Sequence, residues 1–196
     1  MRTDKGTIHY KEFSSCLEAF FREYLIHERG CSEKTVRSYR DAFVLLVEYF
    51  SSTKRVSPEK ITLGMFNRDI VTSFLNWLED VRQCSISTRN SRMAAIKSFC
   101  RYLMYEDPGH LKQWSLILEM RPKRQEEFGK VDSLSLEAVK AILQSVDVDT
   151  RSGLRDLTLL SLLYNSAARV NELIGLMPKS LRMQKPYGVE LFGKGS

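Results

Sequence analysis

No stretch of this 196-residue sequence approaches the roughly 18 consecutive apolar residues that a membrane-spanning helix requires. The longest greasy segment, residues 157–164, is interrupted by Thr158 and Ser161, and Met1-Arg2-Thr3-Asp4-Lys5 leads into no apolar core of a secretory signal. A soluble, cytoplasmic protein is therefore expected. Metal-ligand spacing is also missing. Cys16, Cys31, Cys84 and Cys100 include no Cys-x-x-Cys pair, and His9, His27 and His110 are scattered. A zinc site needs ligands clustered at short spacings, so no metal or other cofactor is expected, and the cysteines are read as reduced thiols packed as small apolar groups. There is no internal repeat, no low-complexity tract, and no paired-carboxylate or Ser/His/Asp arrangement. Gly193-Lys194-Gly195-Ser196 lacks the Gly-x-x-x-x-Gly-Lys-Ser/Thr spacing of a phosphate-binding loop.

What is present is an ordinary globular composition, 43% hydrophobic and 28% charged, with 30 Lys and Arg against 24 Asp and Glu. The net charge of +6 permits a polyanionic partner without demonstrating one. Apolar residues recur at helical spacing in four early segments. Phe13, Leu17, Phe20, Phe21, Tyr24 and Leu25 mark a helix over 13–27 stopped by Gly30. Ser32 caps a second, with Val36, Tyr39, Phe43, Leu46, Val47 and Phe50 on one face, and residues 51–58 follow as a polar loop. A third covers 66–81, and Ser87 or Thr88 caps a fourth with Met93, Ile96, Phe99, Cys100 and Leu103 inward. Residues 12–107 thus form a four-helix domain after an arm at 1–11. Pro108-Gly109, Arg121-Pro122-Lys123-Arg124 and Gly129 mark 108–133 as a linker. Ser135 caps a new helix, another spans 154–164, and a short one over 170–176 is stopped by Pro178. Residues 188–192 read as a strand entering the glycine turn around Lys194, with no partner beyond it.

Charge is concentrated in the fourth helix. Residues 85–101 contain Arg89, Arg92, Lys97 and Arg101 and no acid, while Ser85, Ser87, Thr88, Asn90 and Ser91 add hydrogen-bonding groups at its start. Lys34, Arg37 and Arg40, with Thr35 and Ser38, give the second helix a similar beginning. Two basic, hydroxyl-rich helix starts suit a phosphate backbone, although solvated helix faces look alike. Further on, Arg169 stands between an apolar helix and a short one, with Glu172 one turn later, and Lys194 follows between two glycines. A guanidinium held by a carboxylate is pre-oriented for two phosphate oxygens. A structural ion pair and an ordinary hairpin lysine would show the same spacing.

In order along the chain, Glu28-Arg29-Gly30-Cys31-Ser32-Glu33-Lys34-Thr35-Val36-Arg37-Ser38-Tyr39, Ser85-Ile86-Ser87-Thr88-Arg89-Asn90-Ser91-Arg92 with Phe99 and Tyr102-Leu103, Leu134-Ser135-Leu136-Glu137-Ala138-Val139, and Leu163-Tyr164-Asn165-Ser166-Ala167-Ala168-Arg169-Val170-Asn171-Glu172-Leu173 resemble the tyrosine recombinases. This is the phage-integrase family that includes the Xer-type recombinases. The resemblance implies a mainly α chain: a four-helix, SAM-like core-binding domain that contacts double-stranded DNA, then the helical and β-hairpin start of an incomplete α+β catalytic domain at 134–196. It implies that Arg169 contacts the scissile phosphate, that Lys194 protonates the leaving 5′ oxygen, and that Glu172 is a supporting residue. It also implies DNA contacts from Lys34, Thr35, Arg37, Arg40, Ser87, Thr88, Arg89, Arg92 and Lys97. Strand exchange in the family runs through a 3′-phosphotyrosine without ATP or divalent metal, on tetramers joined by a C-terminal helix.

Two departures are local: Ala168 in the glycine or leucine region before the arginine, and Ser180 where an Asp is common. The larger one is that the family's His-x-x-Arg box, its later His or Trp and its nucleophilic tyrosine lie beyond the lysine hairpin, and none of the eight tyrosines here follows Lys194. The expectation is an N-terminal portion of a recombinase that binds DNA without cleaving it. A helical DNA-binding module or regulator without catalytic descent, and an adaptor meeting acidic proteins, remain as alternatives.

Overall fold

The computed structural model describes residues 12–124 and 133–191, which belong to two compact units meeting in sequence at Glu127 and Phe128. The expected arm at 1–11, most of the second half of the linker, and Lys194 lie outside the described residues.

In the first unit, helix α1 (Phe13–Ala19) continues without a break into a wider π-type helix over Phe20–Glu28. In α geometry Leu25 would stand about 140° around the axis from Phe20. The wider turn carries both into the core, where each is fully buried. The helix closes through Arg29 N–H to Tyr24 O at 2.9 Å and Cys31 N–H to Leu25 O at 2.8 Å, around Gly30 at φ +55°.

Helix α2 (Glu33–Thr53) is capped by Ser32, whose hydroxyl accepts from Thr35 N–H. It runs past the expected loop boundary at 51, because Ser51 and Ser52 donate their hydroxyls back to Val47 O and Glu48 O and so satisfy themselves inside the helix. Asn67 caps α3 (Arg68–Asp80), and Ser85, rather than Ser87 or Thr88, caps α4 (Ile86–Glu106). Thr88 instead supplies the N–H that Ser85 accepts.

The four helices expected over 12–107 are present, and a further helix, α5 (Leu111–Leu118), stands inside the stretch expected to be linker. Its Trp114 is fully buried, and Gln113 Nε2 donates to Leu63 O and Phe66 O at 2.8 and 2.9 Å. One large indole and two long-range hydrogen bonds are enough to dock a helix too short for a clear sequence period.

Phe99 of α4 is the hub of this core. Its ring centroid lies 5.8 Å from Phe13, 5.2 Å from Phe20, 5.2 Å from Phe43 and 5.9 Å from Phe66, the first three in edge-to-face arrangements.

The second unit holds α6 (Leu136–Gln144), α7 (Arg151–Ser166) and α8 (Val170–Ile174), followed by a two-stranded antiparallel hairpin of β1 (Leu181–Arg182) and β2 (Gly188–Val189). Ser135 caps α6 as expected. Thr150 starts α7 three residues earlier than the apolar pattern indicated, by accepting from Gly153 N–H at 3.0 Å. The strand expected to lack a partner finds one upstream, Leu181 opposite Val189 and Arg182 opposite Gly188. A two-residue strand such as 181–182 carries no alternation that sequence could reveal. The fold is mainly helical with one small hairpin.

Phe99→Ala is expected to lower unfolding stability by about 3–5 kcal/mol, the cost of an emptied aromatic site. Tyr105→Ala, at a ring 82% exposed, should stay within about 0.5 kcal/mol of the parent in the same urea titration.

Candidate nucleic-acid interface and candidate catalytic arginine

The basic residues at the start of α2 and along α4 have different fates. Lys34, Arg37 and Arg40 are exposed, and none makes a side-chain bond to another described residue. Arg40 turns toward an apolar groove between α1 and α2 lined by Leu17, Phe21, Phe43 and Val47. Thr35 shares its hydroxyl with Ser32 at 3.0 Å as part of the helix cap, and Thr88 does the same with Ser85. Ser87 is exposed.

Arg89, Arg92 and Lys97, three of the expected DNA contacts, are each engaged within the protein. Arg89 is buried, with Nε 2.6 Å from Glu79 Oε1 on α3. Arg92 Nη1 donates to Ser38 O on α2 at 2.7 Å. Lys97 Nζ donates to Leu118 O at 2.7 Å and to Met120 O at the end of α5, and burial holds its ammonium pKa below the usual lysine range. Each cation reaches a carbonyl or carboxylate from another helix, which is why α4 can carry a basic run at the centre of a bundle.

Glu79 is shared. Its other oxygen accepts from Lys123 Nζ at 2.8 Å, while Asn90 accepts from Lys123 N–H at 3.1 Å and donates to Lys123 O at 2.8 Å. The Lys123 hydrogen bond, with Arg89 adding to it, keeps the Glu79 carboxyl below the usual carboxylate range. Sequence reasoning left Glu79 unmentioned and placed Lys123 in a linker. The basic run was the only local signal, because the partners lie 33 and 44 residues away.

In the second unit, Arg169 and Glu172 are brought together. Ala167 ends α7 in the left-handed conformation at φ +52°, and Arg169 then opens α8. Glu172 Oε2 accepts from Arg169 N–H at 3.0 Å and Oε1 from Arg169 Nη1 at 2.9 Å. The backbone N–H of Arg169, then its side chain, holds the Glu172 carboxyl below the ordinary range. One carboxylate thus fixes both main chain and guanidinium, yet Arg169 remains 80% exposed and open to a ligand. Tyr102 is buried in the first unit, its phenol pushed up to about 12 chiefly by burial.

Comparison with known proteins bears on what these features are. Residues 17–107 match the model of the phage integrase N-terminal SAM-like domain. The chain is 32% identical over 180 residues to a putative integrase/recombinase, y4rD, of Sinorhizobium fredii, covering 91% of this chain and 64% of that protein. The chain belongs to the tyrosine recombinase family. It is also 30% identical over 177 residues to the tyrosine recombinase XerD of Listeria monocytogenes, covering 89% of this chain and 56% of the relative. The chain therefore spans between about half and two thirds of the length of these relatives. The crystal structure of XerH site-specific recombinase, bound to palindromic difH substrate in a post-cleavage complex, shares the fold at a TM-score of 0.61 and 18% identity, over 93% of this chain and 49% of that one.

Within this recombinase fold, Glu79→Gln removes an anion that two cations require. The Glu79 carboxyl titrates lower in the folded chain than in the unfolded one, so its stabilisation is present above the unfolded carboxylate pKa and disappears as pH falls through the folded value. The variant is expected to be less stable by about 3 kcal/mol at pH 7, and urea titrations at pH 7 and pH 3 should show that gap closing in acid. At the other site, Ala167→Gly relieves a left-handed Cβ and is expected to raise the thermal midpoint of the second unit, worth about 0.5–1 kcal/mol.

Proposed function

We propose that this chain is the N-terminal portion of a site-specific DNA recombinase or integrase, in which the first unit grips duplex DNA through its phosphates and the second carries the first catalytic arginine. The observation that carries this reading is Arg169, exposed and oriented by Glu172 within a chain of tyrosine recombinase descent. A phosphodiester exchange places growing negative charge on non-bridging oxygens, and a fixed planar guanidinium meets two of them at once. Lys194, outside the described residues, is assigned to protonate the leaving 5′ oxygen. The covalent step joins a tyrosine oxygen to the 3′ phosphate and releases the 5′ hydroxyl; that tyrosine, on the family pattern, comes after Lys194.

The second unit supports a catalytic domain larger than these residues. Leu136, Leu154, Tyr164, Val170 and Ile174 are all more than half exposed on its helices, and Leu173 is the only large apolar side chain fully buried among its described residues. Apolar surface on this scale is ordinarily covered in a finished domain. A cytoplasmic setting follows from the same family reading, and tetrameric assembly on DNA belongs to full-length relatives, whose joining helix on the family pattern comes after Lys194. No helix among the described residues is long and apolar enough to cross a membrane.

The test is a binding and cleavage pair on the 196-residue polypeptide. It should shift duplex DNA at about 50 mM salt and lose affinity steeply by about 200 mM, the signature of counterion release. It should form no covalent adduct with a nicked suicide substrate; an adduct would overturn the assignment of the nucleophile. Arg169→Ala should weaken binding to a duplex that presents the scissile phosphate, whereas a DNA-binding module without catalytic descent would be indifferent to it. Absence of any shift at low salt would favour a protein-binding adaptor.

A further inference from the structure

The residues leaving α5 are fastened to α4 at both ends of a short strap. Lys97 holds Leu118 O and Met120 O, and Asn90, seven residues earlier on α4, exchanges two hydrogen bonds with the main chain of Lys123. Seven helical residues rise about 10 Å. Three extended residues, from 120 to 123, cover about the same distance. The strap therefore runs back along α4, Pro122 stiffens it, and the Lys123–Glu79 ion pair secures its far end to α3.

Asn90 and Arg92 project about 200° apart around α4. Asn90 reaches the strap and Arg92 reaches Ser38 on α2, so strap and α2 flank the first turns of α4 on opposite sides. Between those two directions Ser87, Ser91 and Ala94 are exposed and small. Lys34 and Arg37 are exposed on α2. Arg121 and Arg124 rise from the strap, which has no acid from 120 to 124, and both are exposed without a bond to another described residue. Only Lys123, between them, is committed to the protein.

We propose that Arg121 and Arg124 are phosphate-binding residues of the first unit, and that Asn90 and Glu79 are positioning residues that hold them beside the small-residue face of α4. The partner is the duplex DNA backbone, so the proposal rests on the DNA-binding reading above. Small exposed side chains along α4 allow close approach of a duplex backbone to the strap arginines.

The test is a salt titration of binding to a random-sequence duplex, read by fluorescence anisotropy on the full 196-residue chain. Arg121→Ala with Arg124→Ala should reduce the slope of log K against log salt by about 1.8, two phosphate contacts, and weaken binding equally across sequences. Asn90→Ala should weaken binding in the parent but add little once both arginines are gone. A merely structural Asn90 would weaken both backgrounds alike, which overturns its positioning role. If Asn90→Ala does not fold, Glu79→Gln provides the same comparison, and the double arginine variant decides the contacts by itself. An unsubstituted chain that binds with a slope unchanged by the double substitution overturns the strap proposal alone. An unsubstituted chain that does not bind at about 50 mM salt overturns the DNA-binding reading and this proposal together.

Discussion

The packing of Phe99 against rings from α1, its π-type continuation, α2 and the turn before α3 is the contact on which the first unit depends. It makes α4 the axis of the bundle, with Met93, Ala95, Ile96, Cys100 and Leu103 buried around the same helix. A helix placed at the centre of a bundle has little solvent-facing surface left for charge. That constraint explains why Arg89, Arg92 and Lys97 of this basic segment are bonded to neighbouring elements.

The internal cations are connectors between elements. Arg89 joins α4 to α3, Arg92 joins it to α2, and Lys97 joins it to the end of α5. Each of the three ends on an oxygen, a carboxylate or main-chain carbonyls that would otherwise face a low-dielectric interior. Glu79 is the point where two such links meet, and its sharing between Arg89 and Lys123 ties the path of residues 120–123 to the bundle. Lys34, Arg37 and Arg40 on α2, and Arg121 and Arg124 on the strap, stay exposed beside these internal links.

The second unit solves its problem locally. Ala167 breaks α7 with one left-handed residue, and the next turn needs a group for its unpaired N–H. Glu172 supplies it and with its second oxygen restrains the Arg169 guanidinium. The helix start and, on the proposed function, the arginine offered to a phosphate are both served by the same carboxylate, three residues away in sequence. This is why Arg169 is pre-organised although the apolar faces around it lie open.

Sequence by itself determined the features that depend on near neighbours. The helical periods, the caps at Ser32 and Ser135, the stop at Gly30 and the Arg169–Glu172 pairing all arise from interactions spanning three to six residues, and all are visible as spacing. Tertiary structure alone decided which basic residues are free. Arg89 and Arg37 look alike in a helix start, yet one is buried on Glu79 and the other exposed, because the difference lies in what the fold brings against each. The same holds for α5, docked by one indole and one glutamine, and for Lys123, which becomes part of the bundle only when Asn90 and Glu79 arrive from far away in the chain. Periodicity reports the face a helix turns inward, whereas the partner that a charge meets is set by long-range packing that no local spacing encodes.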